Sequence, residues 1–123
     1  MLWLISLALG ADLDVRWVRI GTSPDGDQYY ADPNSIHHAG NLRLFWMKVV
    51  YPTRHPILGI YSDSMMTADC GAQTIRVNRQ DIYDRPGVLS QSVPFNASQG
   101  SVPIDKGTIT EVMFNLVCPG QAK

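Results

Sequence analysis

Alternation of apolar and polar positions divides the chain into short runs separated by Pro, Gly and Asp. "DVRWVRIGT", residues 14–22, alternates Val15 and Trp17 against Arg16 and Val18 and predicts a first strand. "SPDGD", residues 23–27, is a turn with Pro early and Gly supplying a positive φ. "QYYAD" predicts a second strand and makes the pair a hairpin. Pro33, Asn34 and Gly40 mark a loop, with one helical turn expected around Ser35 to His38. "LRLFWMKVVY", residues 42–51, is the best-marked strand, rich in β-branched and aromatic residues. Its polar Arg43 and Lys48 fall on opposite parities, so both faces are at least half covered. "YPTRHP", with two prolines, is expected to end it.

"ILGIYSDSMMTADC" and "AQTIRVNRQDIYD" predict a second hairpin turning at Gly71. In its second arm Ile75, Val77, Arg79 and Tyr83 share one parity, and Arg76, Asn78 and Gln80 the other, which reads as the wet face. Residues 85–107, rich in Pro, Gly, Ser and Gln, read as a long surface loop with one short strand near Val93 to Phe95. "TITEVMFNLVC", residues 108–118, has the period of a helix: Ile109, Val112, Met113, Leu116 and Val117 form one apolar face. Thr108 and Glu111 fit a capping box at its start.

Composition agrees with many turns and little helix, because ten of the eleven acidic residues are Asp and only Glu111 is Glu. The 123 residues are one domain's worth, and a net charge of −1 gives no field to attract nucleic acid. The opening "MLWLISLALGA" is uncharged and too short to span a bilayer. It resembles the apolar part of a secretory signal, with Ala8-Leu9-Gly10 before a cut. Residues 1–11 are therefore expected to be a signal peptide, whole or truncated at its start, and 12–123 the mature domain; a first apolar element of the fold is the alternative.

Cys118, in the last turn of the predicted helix, has one possible intramolecular partner, Cys70. A disulfide there would clip the helix to the sheet and require an oxidising compartment, as the apolar start suggests. Two buried free cysteines remain the other reading.

The ordered set Trp17-Val-Arg-Ile, Tyr29-Tyr30-x-Asp32, Ser35-Ile36, Phe45-Trp46-x-Lys48, Cys70, Tyr83-Asp84 and Cys118 resembles the surface-adhesin protein E family. The resemblance runs from about Trp17 to Gly120. It implies an α+β fold: an antiparallel sheet of about six strands with a C-terminal helix clipped to it by a Cys70–Cys118 disulfide. It also implies an extracytoplasmic, non-enzymatic protein of a Gram-negative envelope. The family's named adhesin is a lipoprotein that binds vitronectin and laminin and can self-associate. Its lipidated cysteine and its strongly basic host-binding connection have no match here; "YPTRHPILG" holds only Arg54 and His55.

No catalytic constellation stands out. His37 and His38 are adjacent, so in extended chain they face opposite ways and make a poor chelating pair. There is no G-x-S-x-G elbow, glycine-rich phosphate loop or calcium loop. No cofactor, metal or catalytic residue is assigned, and Trp17, Trp46 and Phe45 are expected to fill the core rather than to form a ligand cage. Arg54 and His55, with Arg76, Arg79 and Arg85, are the candidate partner-binding residues, since Arg is enriched at interfaces. The sequence thus reads as a periplasmic, outer-membrane-associated or secreted module that docks an envelope or host-matrix protein, with self-association a further option. A structural envelope subunit without a soluble ligand is the second reading and a small hydrolase using His37 or His38 the third.

Overall fold

The computed structural model describes residues 17–95 and 101–120. The expected signal peptide lies outside them. Eight antiparallel strands form one sheet: β1 (Val18–Thr22), β2 (Gln28–Ala31), β3 (His37–Ala39), β4 (Leu42–His55), β5 (Gly59–Asp69), β6 (Thr74–Arg85), β7 (Val88–Pro94) and β8 (Val102–Pro103). The order is β1-β2-β4-β5-β6-β7, with β3 beside β4 and β8 beside β6. One helix, α1 (Ile109–Val117), follows. This is the expected α+β architecture, a curled antiparallel sheet with a C-terminal helix joined to it by a disulfide.

Strand parity decides which side chains meet the helix. Phe45, Met47 and Val49 of β4 oppose Met66, Ser64 and Ser62 of β5 and point to one face with Ala68 and Ile75. These residues are buried, and with Met113, Phe114 and Val117 of α1 they make the core. Cys70, just past β5, meets Cys118 at the C-cap of α1 with a Cα–Cα separation of 5.6 Å. Thr108 caps the helix by accepting from the Glu111 amide, and Glu111 Oε1 accepts from the Gly107 amide at 2.9 Å. Thr108→Ala removes the cap and is expected to cost about 1 kcal/mol, measured by urea unfolding. A loss below about 0.3 kcal/mol would show that packing of the helix on the sheet already holds this helix start.

The structure departs from the sequence reading in six places. The helical turn is a 3-10 turn at Pro33–Ser35, and His37 and His38 form the short exposed strand β3. β4 runs on through Pro52 to His55, because its pairing with β2 stops at Val50 and that with β5 lapses between Val50 and His55. A proline there removes no ladder bond. β7 is a full hairpin partner of β6 where a surface loop was expected. In β6, Val77 opposes Met66 and Arg79 opposes Met65, so Asn78 is an extra residue that inverts the alternation. Gln80 therefore turns inward, its Nε2 donating to Ser62 Oγ at 3.4 Å, while Arg79 and Tyr83 join Arg76 on the open face. In α1, Phe114 rather than Val112 meets the sheet: Phe114 is fully buried and Val112 is 48% exposed. Finally, Phe45 is core but Trp17 and Trp46 are not; both are half-buried on the face away from α1.

Candidate functional site

The face away from α1 carries an ordered polar and aromatic surface. The register places Arg19, Tyr30, Lys48, Asp63, Asp81 and Ser92 in one row across β1, β2, β4, β5, β6 and β7. Two carboxylates thus stand directly opposite, which repels unless cations flank them. Lys48 Nζ lies 3.0 Å from Asp63, and Arg79 Nε 3.1 Å from Asp81. Ser92 Oγ donates to Asp81 at 2.7 Å. Aromatic rings cover both cations: Lys48 sits 3.9 Å from the centre of the Tyr61 ring and 5.1 Å from Trp17, and Arg79 5.2 Å from Trp46. Tyr61 and Tyr83 stack with centroids 4.7 Å apart.

Burial pushes the Asp63 carboxyl up; the Lys48 charge opposes this, and Asp81 adds to it. Its Oδ1 is buried and receives the Lys48 charge but no aligned hydrogen bond. Burial likewise raises the Tyr83 hydroxyl, with Asp63 and Asp81 adding to the effect. The folded protein therefore protonates Asp63 before the unfolded chain does. That contribution to stability grows as pH falls through the window above the ordinary aspartate value near ~4 and is lost as pH rises. Relative to Asp63→Asn, the native protein is expected to gain stability as urea titrations move from pH 7 towards pH ~4.5. A difference that moves the other way would remove desolvation as the dominant effect.

One end of this sheet gathers the candidate residues. Arg54 and His55 close β4, and Arg85 closes β6. Arg54 Nη2 pairs with Asp84 at 3.2 Å, and the Gly87 amide donates to the Tyr61 hydroxyl at 3.1 Å, so the β4–β5 and β6–β7 turns lie side by side. His55 Nδ1 accepts from the amides of Ile57 and Leu58 at 3.1 and 3.0 Å and shapes its turn. Gly59 follows at φ 74°, where an added Cβ would lie 2.3 Å from the Tyr83 carbonyl oxygen. Three apolar residues are exposed at this end, Ile57 in the β4–β5 turn and Val88 and Leu89 at the start of β7: Ile57 is 73% exposed, Leu89 51% and Val88 47%.

A cleft of about 310 Å³ opens beside this end, with Asp25 and Asp27 of the β1–β2 turn, and Arg54 and His55, among its lining. Tyr51 lies at the same cleft; burial raises its hydroxyl, which bonds Ser62 at 3.1 Å. Arg79 stands apart, mid-sheet on the open face. Arg76 lies nine residues before Arg85 on β6, roughly 30 Å away along a strand. The five candidate residues are thus not one patch. Sequence reasoning missed Ile57, Val88 and Leu89, although "HPILG" and "RPGVL" each set an apolar pair beside turn residues where polar ones are usual.

The model of the family described as surface-adhesin protein E matches residues 17–119. The chain belongs to that family. Comparison with the curated proteins and with the solved structures finds no match. Membership of the surface-adhesin protein E family supports an adhesin-like role, binding some partner, and points to a non-enzymatic protein. With the disulfide it places the protein outside the cytoplasm or at the surface. Among the described residues, no helix is long and apolar enough to cross a membrane.

Proposed function

We propose that the chain is an exported binding module that docks a protein partner through the paired β4–β5 and β6–β7 turns. The observation that carries this is that exposed Ile57, Val88 and Leu89, with Arg54 and Arg85, sit on two hairpin ends that the Arg54–Asp84 pair and the Gly87–Tyr61 hydrogen bond hold side by side. An apolar centre with arginine at its rim is the composition of a protein interface. Neither a solvent-facing turn, which holds Ile57, nor the exposed start of β7, which holds Val88 and Leu89, gains folding stability from large aliphatic side chains left in water. Arg54 and Arg85 would steer and orient the partner; His55 would act indirectly, by holding the turn that presents Ile57.

The test uses two arms, immobilised vitronectin and laminin for a matrix partner and in-cell crosslinking for an envelope partner. In whichever arm binds, Ile57→Asp or Arg54→Glu with Arg85→Glu should weaken binding at least about tenfold. Arg76→Glu, at the far end of β6, should leave it within about twofold. Equal binding by all variants would remove the turns from the account. Failure of both arms would favour a structural envelope role. Intact mass of the exported protein, cut near Ala11, would test the leader.

A further inference from the structure

Two turns of the sheet are held by the same device built from different side chains. In the β5–β6 turn, Asp69 Oδ1 accepts from the Gly71 and Ala72 amides at 3.1 and 3.0 Å. In the β4–β5 turn, His55 Nδ1 accepts from the Ile57 and Leu58 amides at 3.1 and 3.0 Å. In both, the acceptor stands two and three positions before its donors. Asp, Asn and Ser are the ordinary residues at the first position of such turns, because their side chains accept from the amides that follow. His55 does that work with a single ring nitrogen. Pro56 follows it and brings no amide, and Gly59 closes the turn at φ 74°. Among the described residues the Ile57 and Leu58 amides have no other acceptor.

The two acceptors answer acid differently. Accepting from amides requires a lone pair on Nδ1, so the ring proton sits on Nε2. A second proton can go only to Nδ1, where it turns the acceptor into a donor facing two donors. The turn and the proton compete for one lone pair. Imidazoles ordinarily titrate between pH ~5 and ~8, whereas aspartate carboxyls do so near ~4.

The groups around the ring come from several elements. On β4, the Tyr51 ring lies 5.7 Å from it between centroids, and burial raises the Tyr51 hydroxyl, which stays neutral in this range. Arg54, next in the chain, is engaged by Asp84 of β6. β5 meets His55 through Gly59. Asp25 and Asp27 of the β1–β2 turn line the same cleft as His55, and neither forms an ion pair among the described residues. Their charges favour an imidazolium once it forms.

We propose that His55 is a pH-sensitive latch: neutral, it holds the β4–β5 turn and fixes Ile57; protonated, it releases both amides and the turn opens. The consequence for docking, a weaker hold on the partner in mild acid, rests on the role proposed above for Ile57. The latch itself is read in the free protein, so each can fail alone.

The experiment is an NMR titration of the isotope-labelled, disulfide-intact protein without partner, from pH ~7.5 to ~5. It follows the His55 ring nitrogens and the amides of Ile57, Leu58, Gly71 and Ala72. At the upper end Nδ1 should be the unprotonated nitrogen. The Ile57 and Leu58 amide signals should then move with the midpoint of the His55 ring. Their hydrogen exchange, relative to Gly71 and Ala72 at the same pH, should speed up at least about fivefold, the worth of one ordinary hydrogen bond. His55→Asn places a side-chain oxygen that does not titrate at the same point, and should keep both amides bonded throughout. His55→Ala should show the acid form at every pH. A ring proton on Nδ1 at the upper end would overturn the proposal, as would Ile57 and Leu58 amides indifferent to the His55 titration. An undiminished acid response in folded His55→Asn would overturn it too, by assigning the response to another group.

Discussion

Reducing the Cys70–Cys118 disulfide is expected to lower the unfolding free energy by about 4 kcal/mol. The figure follows from the 48-residue separation of the two cysteines, which sets the loop entropy withheld from the unfolded chain. For a domain of this size it corresponds to roughly 15–20 °C in melting temperature. The structure gives a second reason for a large effect. α1 has nine residues, fewer than the roughly 12–15 that an isolated helix needs to persist. Both cysteines are buried, at 3% and 1% exposure, so reduction should require opening of the helix end. Paired melts of the native protein with and without reductant, and of a Cys70→Ser/Cys118→Ser double variant, measure the effect. A loss below about 1 kcal/mol would show that packing alone holds the helix down.

Phe114→Ala should cost about 3–5 kcal/mol, the range for deleting a large aromatic ring from a closed core. Phe114 is fully buried and belongs to the same core as Phe45, Ala68 and the disulfide. The inner face of the sheet cannot readily close over the gap, because its strands are fixed by their ladders on both sides. Val112→Ala, two positions away on the exposed side of the helix, is the control and should change stability by no more than about 0.5 kcal/mol. Urea unfolding of both variants, with unchanged m-values, checks the pair. A loss for Phe114→Ala that matched the control would mean that α1 does not seal the core.

The features legible in the sequence were those with a local cause. The capping box, the helical period, the turn residues of the first hairpin and the two cysteines each act within a few positions or leave one partner. What escaped depends on neighbouring strands. The bulge at Asn78 is visible only when β6 is set against β5, and that one residue sends Arg79 and Tyr83 to the face opposite the expected one. Pro52 looks like a strand breaker until β2 is seen to stop short of it. Trp17 and Trp46 read as core by size alone; their places are set by Lys48 and Arg79, which they cover. The candidate site was half legible for the same reason. Arg54, His55 and Arg85 were named from their chemistry, but only the pairing of two hairpins sets them beside Ile57, Val88 and Leu89.

The clip between the helix end and the central strand has a mechanical side. A pull applied downstream of Cys118 enters β5 directly through a covalent bond, without first loading α1 or the chain between the two cysteines. The 48-residue separation keeps roughly 160–170 Å of contour length locked at any force that spares the bond. A protein holding its partner under flow would yield over a short distance in its oxidised form. Once reduced, it could pay out that whole length as slack.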